Sequence, residues 1–304
     1  MIELESRVDN EIEYLPPEIA VSMMMDEVDR CLSASPPIVR EYTKHLAASR
    51  GKSIRGISLI TCAQNRDNLV HPNAVKFAAA IEILHLATLV HDDVIDDADI
   101  RRGMPTLQKK YGKKTAVICG DYLLSLALKI ATDIPNREDY LSLNMPDYIA
   151  RLCFGELRQH IYSGNLNLSA YMYLKIIAGK TAALFEASFF AGAVLSDASE
   201  RDLTRYKRLG KYLGMIFQLM DDCLDFEATQ QEAKKPVQSD FENDVITMPV
   251  IHALKNAEGL KEKAESRRIT KSDIISAVLK SGSLMYTKNI ARRYYNKFMA
   301  ILDE

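Results

Sequence analysis

One acidic pattern occurs twice in this chain. Asp92-Asp93-Val94-Ile95-Asp96 and Asp221-Asp222-Cys223-Leu224-Asp225 share the spacing Asp-Asp-x-x-Asp. Each copy follows an apolar run, Ile83 to Val90 in the first case and Leu213 to Met220 in the second. On a helix, the first and third Asp of each copy lie one turn apart on one face. Like charges at that spacing oppose helix formation unless something neutralises them. An oxygen-only donor set, with neither His nor Cys, suits a hard cation such as Mg²⁺. Mg²⁺ takes one or two carboxylates, keeps some waters and fills its remaining positions with substrate phosphate oxygens. A lone acidic run on a helix is most often a solvated face. Two copies with identical spacing, each ending an apolar helical stretch, point instead to a diphosphate clamped between two walls. Neither segment has the central Gly and terminal Glu of an EF-hand calcium loop.

Cationic residues stand where a second phosphate-bearing substrate would use them. Gly51-Lys52-Ser53-Ile54-Arg55 places Lys52 and Arg55 three residues apart at a helix start, a natural anion site. Arg101 and Arg102 follow directly after five Asp in the eight residues 92–99. They read either as local charge balance or as phosphate capture beside metals. Gly179-Lys180-Thr181 and Gln218 carry polar groups within apolar helices, where such groups are costly unless paired. His85 lies seven residues before Asp92 on the same apolar helix. On periodicity alone it is a satisfied core histidine.

The elements that must position these residues read as helices. Pro16-Pro17, Pro36-Pro37, Gly51, Pro72, Pro135, Pro146, Gly164-Asn165, Pro236 and Pro249 mark the joints, with Ser35-Pro36 and His71-Pro72 as helix starts. Between joints apolar residues recur at three and four. Phe77, Ile81, Leu84 and Thr88 form one stripe and Ile83, Leu86 and Val90 another, as in a helix at the middle of a bundle. No segment shows sustained strand alternation. The chain has 304 residues, no linker and no composition shift, so the expectation is one all-α domain over 1–304. Apolar residues are 47%, charged residues 26% and the net charge is −2, with basic residues scattered, so nucleic acid is not an expected partner. Cys31, Cys62, Cys119, Cys153 and Cys223 form no C-x-x-C pair and read as reduced, buried thiols of a cytoplasmic protein. The acidic N-terminus is no signal peptide, and no uncharged apolar stretch reaches the roughly 18 residues of a membrane span. Met23-Met24-Met25 reads as core filler.

Together these residues resemble a trans-isoprenyl (polyprenyl) diphosphate synthase, over nearly the whole chain and most clearly from Gly51 to Pro249. Leu89 to Thr106, LVHDDVIDDADIRRGMPT, resembles the family's first Asp-rich motif with its trailing RRGxPT, and Phe217 to Phe226, FQLMDDCLDF, resembles the second. Gly120-Asp121-Tyr122-Leu123-Leu124 and Gly179-Lys180-Thr181 also match. Within the family the chain is most similar to the medium- and long-chain enzymes, including the catalytic subunits of two-component hexaprenyl and heptaprenyl synthases.

The resemblance implies an isoprenoid-synthase-type helical bundle with a central cavity, and head-to-tail prenyl transfer. In that reading Asp92, Asp93, Asp96, Asp221, Asp222 and Asp225 hold Mg²⁺ on the allylic diphosphate. Arg101, Lys180, Thr181, Gln218 and Lys235 contact the same diphosphate. Lys52, Arg55, His85 and Arg102 hold isopentenyl diphosphate. Metals and cations stabilise the departing diphosphate, the allylic C–O bond ionises, and the isopentenyl double bond attacks the cation. The released diphosphate takes the proton that is then lost.

Family members are typically dimers, so the implied assembly is a homodimer or a heteromer with a small subunit. Transient membrane contact for product release is also implied. A class I terpene cyclase, or a weakly active or silent subunit of a heteromeric synthase, are the alternative readings. Leu84, Ala87 and Thr88 lie one to two turns before Asp92, where short-chain relatives carry bulky aromatics that close the pocket floor. Small residues there, with Ser125 and Ala127 beyond Asp121, imply a product longer than C20, in the range of about C30 to C40. Lys234, Gln238 and Asp244 stand where the family commonly has Gly, and Val245 where many members have Lys. Lost glycines imply a closing loop with less freedom to adopt positive φ.

Overall fold

The computed structural model describes residues 12–49, 51–135, 144–231 and 244–303. Helix starts follow local capping chemistry. Pro17 and Pro37 occupy first-turn positions, where a missing N–H costs nothing, and open α1 (Pro17–Ser33) and α2 (Pro37–Ala48). α3 (Ile54–Cys62) begins directly after Lys52 and Ser53, as expected, with Ser53 in the left-handed conformation at φ 47°. α4 (Asn73–Ile95) follows Pro72 and is buried on most faces, Phe77, Ile81, Leu84, Ala87 and Val90 included.

A short antiparallel hairpin, β1 (Ile100–Arg101) and β2 (Met104–Pro105), comes next. No strand was expected here, because two-residue strands are too short to show alternation. The cause is the turn. Arg102 and Gly103 both have positive φ, 52° and 77°, which is the two-residue hairpin geometry that matches strand twist. Thr106 then caps α5 (Leu107–Tyr111) by accepting the Lys109 N–H, and α6 (Lys113–Thr132) follows.

The contacts divide the chain into two compact units, residues 1–141 with 191–199, and residues 142–190 with 200–304. In the first unit α4 is the axis, packed against α1, α3 and α6. The second unit contains α7 (Met145–Ile161), α8 (Ala170–Lys180), most of α9 (Ala182–Leu195), α10 (Glu200–Gln231), α11 (Met248–Asn256), α12 (Leu260–Glu265), α13 (Lys271–Lys280) and α14 (Ser283–Leu302). Tyr173, Ile176, Leu219, Met248 and Val278 lie in its core. The fold is all-α: beyond the hairpin and two isolated bridges, the regular elements among the described residues are helices.

Three readings need correction. Cys153 is exposed on α7, whereas the other four thiols are buried. Met24 is fully buried but Met23 is 43% exposed, so the Met run is only partly core. α4 and α6 are each long and apolar enough, by length and composition, to cross a membrane. Neither helix is free of charge, since Lys76 and Glu82 interrupt α4 and Asp121 and Lys129 interrupt α6. α4 commits its apolar faces to α1, α3 and α6.

Candidate active site

α4 delivers the first Asp motif at its C-terminal end. Asp92 lies in the last turn, and Asp96 is the C-cap, its N–H donating to the Asp92 carbonyl at 2.8 Å. The two are therefore one turn apart, and both are half-buried. Asp93 behaves differently. It is 5% exposed and accepts a hydrogen bond from Arg101 Nε at 2.6 Å. Burial pushes the Asp93 carboxyl above the usual range, and Arg101 opposes that shift. Asp97 and Asp99 form ion pairs with Lys113 and Lys109 at 2.9 and 2.8 Å. So Asp93, Asp97 and Asp99 meet protein cations, and Asp92 and Asp96 form a half-buried pair at the helix end. The hairpin makes this sorting, because it turns Arg101 back onto α4.

The candidate anion residues of the first unit gather around His85. Arg55 Nη1 lies 3.0 Å from His85 Nε2. A guanidinium only donates, so Nε2 accepts and the ring carries its proton on Nδ1. Burial, then the charges of Arg55, Arg102 and Arg101, hold the His85 pKa well below its ordinary value, so the imidazole is neutral at pH 7. Burial also lowers Arg55 to about 10, with Glu82 opposing, so Arg55 stays charged. Glu82 accepts the Gly56 N–H at 2.7 Å and so ties the α3 start to α4. Arg102 Nη1 donates to the Ser49 carbonyl at 2.9 Å. Lys52 is exposed beside this cluster in sequence. Glu82 went unnoticed in the sequence, although it lies three residues before His85 and so on the same helix face.

In the second unit α7 and α8 approach closely enough that only glycine fits. A Cβ on Gly155 would sit 2.1 Å from the Lys180 amide nitrogen, and one on Gly179 would sit 2.7 Å from the Arg151 carbonyl. That approach sets Lys180 beside Glu156, and Lys180 Nζ donates to Glu156 Oε2 at 2.8 Å. Arg151 makes a two-pronged pair with Glu186 at 2.9 and 2.7 Å. Thr181, the C-cap of α8, donates to Gln218 Oε1 at 2.7 Å, and Gln218 Nε2 donates to Asp222 Oδ1 at 3.0 Å. Tyr173 donates to Asp222 Oδ2. Asp222 is 2% exposed, whereas Asp221 is exposed and Asp225 half-buried. The second motif is thus sorted like the first, with its middle Asp tied inward and its outer pair on the accessible face. Tyr173, Glu156 and Gly155 carry this arrangement and were missed. Tyr173 lies seven residues before Lys180, two turns away on one face, which was the available signal.

Lys235, Lys234 and Gln238 lie outside the described residues. Asp244, in place of the expected Gly, takes φ 60° nonetheless. Asp tolerates the left-handed region better than most residues. Its carbonyl accepts the Gly164 N–H at 2.8 Å. Leu84 and Ala87 are buried on α4, and Thr88 turns its hydroxyl back to the His85 carbonyl at 2.8 Å. On α6, Ala127 is buried but Ser125 is exposed, so the two do not share one apolar path.

The donor set fits a hard divalent cation. Each motif offers two accessible carboxylates one turn apart and no nitrogen or sulfur ligand. Among the described residues no group of three or more His, Cys, Asp or Glu side chains could by itself hold a metal ion.

Comparison with known proteins decides the family. The polyprenyl synthetase family pattern matches residues 36–281. The chain belongs to the polyprenyl synthetase family. It is 32% identical to heptaprenyl diphosphate synthase component 2 of Bacillus subtilis over 283 residues, covering 91% of this chain and 80% of that relative. Among solved structures it resembles heptaprenyl diphosphate synthase of Staphylococcus aureus, with a TM-score of 0.86 and 31% identity, covering 95% of this chain and 92% of that one. It also resembles a polyprenyl synthase of Caulobacter crescentus complexed with calcium and isoprenyl diphosphate, with a TM-score of 0.84 and 29% identity, covering 94% and 89%. Other relatives are named for products from geranylgeranyl to nonaprenyl diphosphate. The chain is therefore a prenyltransferase of isoprenoid biosynthesis, a trans-prenyl diphosphate synthase acting on prenyl diphosphates.

Proposed function

We propose that this enzyme condenses isopentenyl diphosphate with an allylic diphosphate, in the presence of Mg²⁺, to give an all-trans polyprenyl diphosphate longer than C20, in the range of about C30 to C40. The sorting of the carboxylates is what chiefly supports the metal reading. Asp93 and Asp222 are buried and bonded to Arg101, Gln218 and Tyr173, and Asp92 with Asp96 and Asp221 with Asp225 are more accessible at helix faces. These four are the direct ligands in this reading, and Asp93 and Asp222 support them. Bound calcium in the Caulobacter crescentus relative is consistent with a divalent cation on the diphosphate.

Held by Asp92, Asp96, Asp221 and Asp225, Mg²⁺ would supply positive charge to offset the negative charge developing on the departing diphosphate. The chain supplies position and dryness. Lys180, Thr181, Gln218, Arg101 and Lys235 hold the allylic diphosphate. Lys52, Arg55, Arg102 and His85 hold isopentenyl diphosphate, with neutral His85 steadying the Arg55 guanidinium. The apolar wall of α4 keeps water from the cation that ionisation leaves. The small residues Ala87 and Thr88 leave room for chain growth below Asp92, with Leu84 a turn deeper.

Oligomerisation belongs to the same proposal. α7 exposes Phe154, Leu157 and Ile161, 58%, 53% and 65% accessible, at spacings of three and four. α6 exposes Val117, Ile118 and Leu128. Apolar stripes of this kind favour a homodimer or a heteromer with a small subunit. The similarity to a protein named component 2 supports the heteromer. The free thiols suit a cytoplasmic enzyme.

Incubating the purified chain alone with farnesyl diphosphate, labelled isopentenyl diphosphate and Mg²⁺ tests the proposal. Chromatography of the dephosphorylated products is expected to show labelled prenyl alcohols longer than C20. Label appearing only after a small subunit is added would establish the heteromeric reading. A labelled product no longer than C20 would overturn the length assignment.

A further inference from the structure

We infer that Tyr173, a residue outside the expected site, is a positioning residue for the second aspartate motif. The inference rests on the proposed metal role of Asp221 and Asp225. Tyr173 is buried on α8, and its hydroxyl donates to Asp222 Oδ2 at 2.5 Å. The other oxygen, Oδ1, accepts from Gln218 Nε2 at 3.0 Å, one turn earlier on α10. Gln218 is in turn fixed by Thr181, whose hydroxyl donates to Oε1 at 2.7 Å. A carboxylate only accepts, so the amide nitrogen of Gln218 must face Asp222 and its oxygen must face Thr181. The result is a directed chain, Thr181 to Gln218 to Asp222, closed from the other side by Tyr173. It ties α8 to α10 at two points, the first turn of α8 and its C-cap.

The geometric consequence falls on the neighbours of Asp222. Successive residues on an α-helix are about 100° apart around the axis. Holding both Asp222 oxygens therefore fixes the azimuth of α10, and with it the directions of Asp221 and Asp225. Hydrogen bonds to a carboxylate are short and strong, and removing one leaves a buried acceptor unsatisfied. Without the Tyr173 hydroxyl, the cheapest relief is for Asp222 to turn toward solvent, which rotates the outer pair out of register. Asp222 is on this view the anchor, and Asp221 and Asp225 are the metal-facing pair it aims. A buried tyrosine that merely fills the core would leave cation binding unchanged when its hydroxyl is removed.

Tyr173→Phe keeps the ring and removes only the hydroxyl. Tyr148→Phe, another buried tyrosine of the same unit, serves as the control. Mn²⁺ binding is measured by the loss of the free-ion paramagnetic signal, in the presence of a non-ionising farnesyl thiodiphosphate. Thermal unfolding is recorded in parallel. Tyr173→Phe is expected to weaken Mn²⁺ binding about tenfold or more, with Tyr148→Phe at the wild-type value. Asp222→Asn, which keeps a side chain of the same shape, is expected to lose less Mn²⁺ affinity than Asp221→Asn. Wild-type Mn²⁺ affinity in Tyr173→Phe, an equal loss in Tyr148→Phe, or a larger loss in Asp222→Asn than in Asp221→Asn would overturn the inference. Failure of the wild-type enzyme to bind Mn²⁺ with the analogue would instead remove the metal reading, and the inference with it.

Discussion

Gly155→Ala is a one-methyl perturbation whose consequence follows from the close approach of α7 and α8. The added Cβ would lie 2.1 Å from the Lys180 amide nitrogen and 2.8 Å from its Cα, both backbone atoms that cannot rotate away. Ordinary contact begins near 3.4 Å, so α7 and α8 must separate locally by about 1.3 Å. Overpacking of this kind costs about 1–3 kcal/mol, and the better helix propensity of Ala returns about 0.5–1 kcal/mol. The net loss is centred near about 1 kcal/mol within a span of about 0–2.5, seen as a fall in melting temperature of roughly 2–4 °C. Lys180 and Glu156 sit on the two helices that separate, so their 2.8 Å contact moves with them. A displacement of about 1 Å in a positioned group can cost up to about 100-fold in rate. We expect kcat/KM for the allylic diphosphate to fall between about 10- and 100-fold, read by incorporation of labelled isopentenyl diphosphate. Wild-type melting and wild-type rate would refute the close approach itself. Lower melting with an unchanged rate would refute the claim that Lys180 must be held there.

Ala87→Tyr should shorten the product, because Ala87 is buried on α4 below Asp92; chromatography of the dephosphorylated products reads it, and unchanged length rejects the assignment. Stability should depend on pH through His85. Its folded pKa lies well below the ordinary 6.5, so the stabilisation is complete above that value and declines as pH falls below it, toward the folded pKa. His85→Asn should flatten the slope of melting temperature between roughly pH 6.5 and 5, and an unchanged slope would show that another group causes it. Light scattering at micromolar concentration should give a mass above that of a monomer; a fully active monomer would contradict the apolar stripe on α7 as an association surface.

Much of the scaffold was legible because long apolar helices announce themselves by period, and proline marks their starts. α4 and α10 place the two Asp motifs as the spacing predicts. The hairpin at Ile100–Pro105 was not legible, because Arg102 at positive φ is uncommon and the strands are too short to alternate. Within the motifs, sequence cannot tell Asp93 from Asp92 or Asp222 from Asp221. The distinction comes from Arg101 on a returning hairpin and from Tyr173, 49 residues away along the chain. Glu156 is likewise 24 residues from Lys180, and nothing in its local sequence marks it as that lysine's partner. His85 was assigned through family resemblance alone. Its neutral state and its bond to Arg55 are consequences of burial that periodicity could not supply.

The central claim is that the accessible aspartates of both motifs hold the cations that permit ionisation. Turnover of Asp92→Ala and Asp221→Ala, each checked for an intact helical fold by circular dichroism, tests it most directly. Both should lose activity by orders of magnitude, about 10³-fold if each removes a metal-bridged contact worth about 4 kcal/mol in the transition state. Near-wild-type turnover in either variant would contradict the claim.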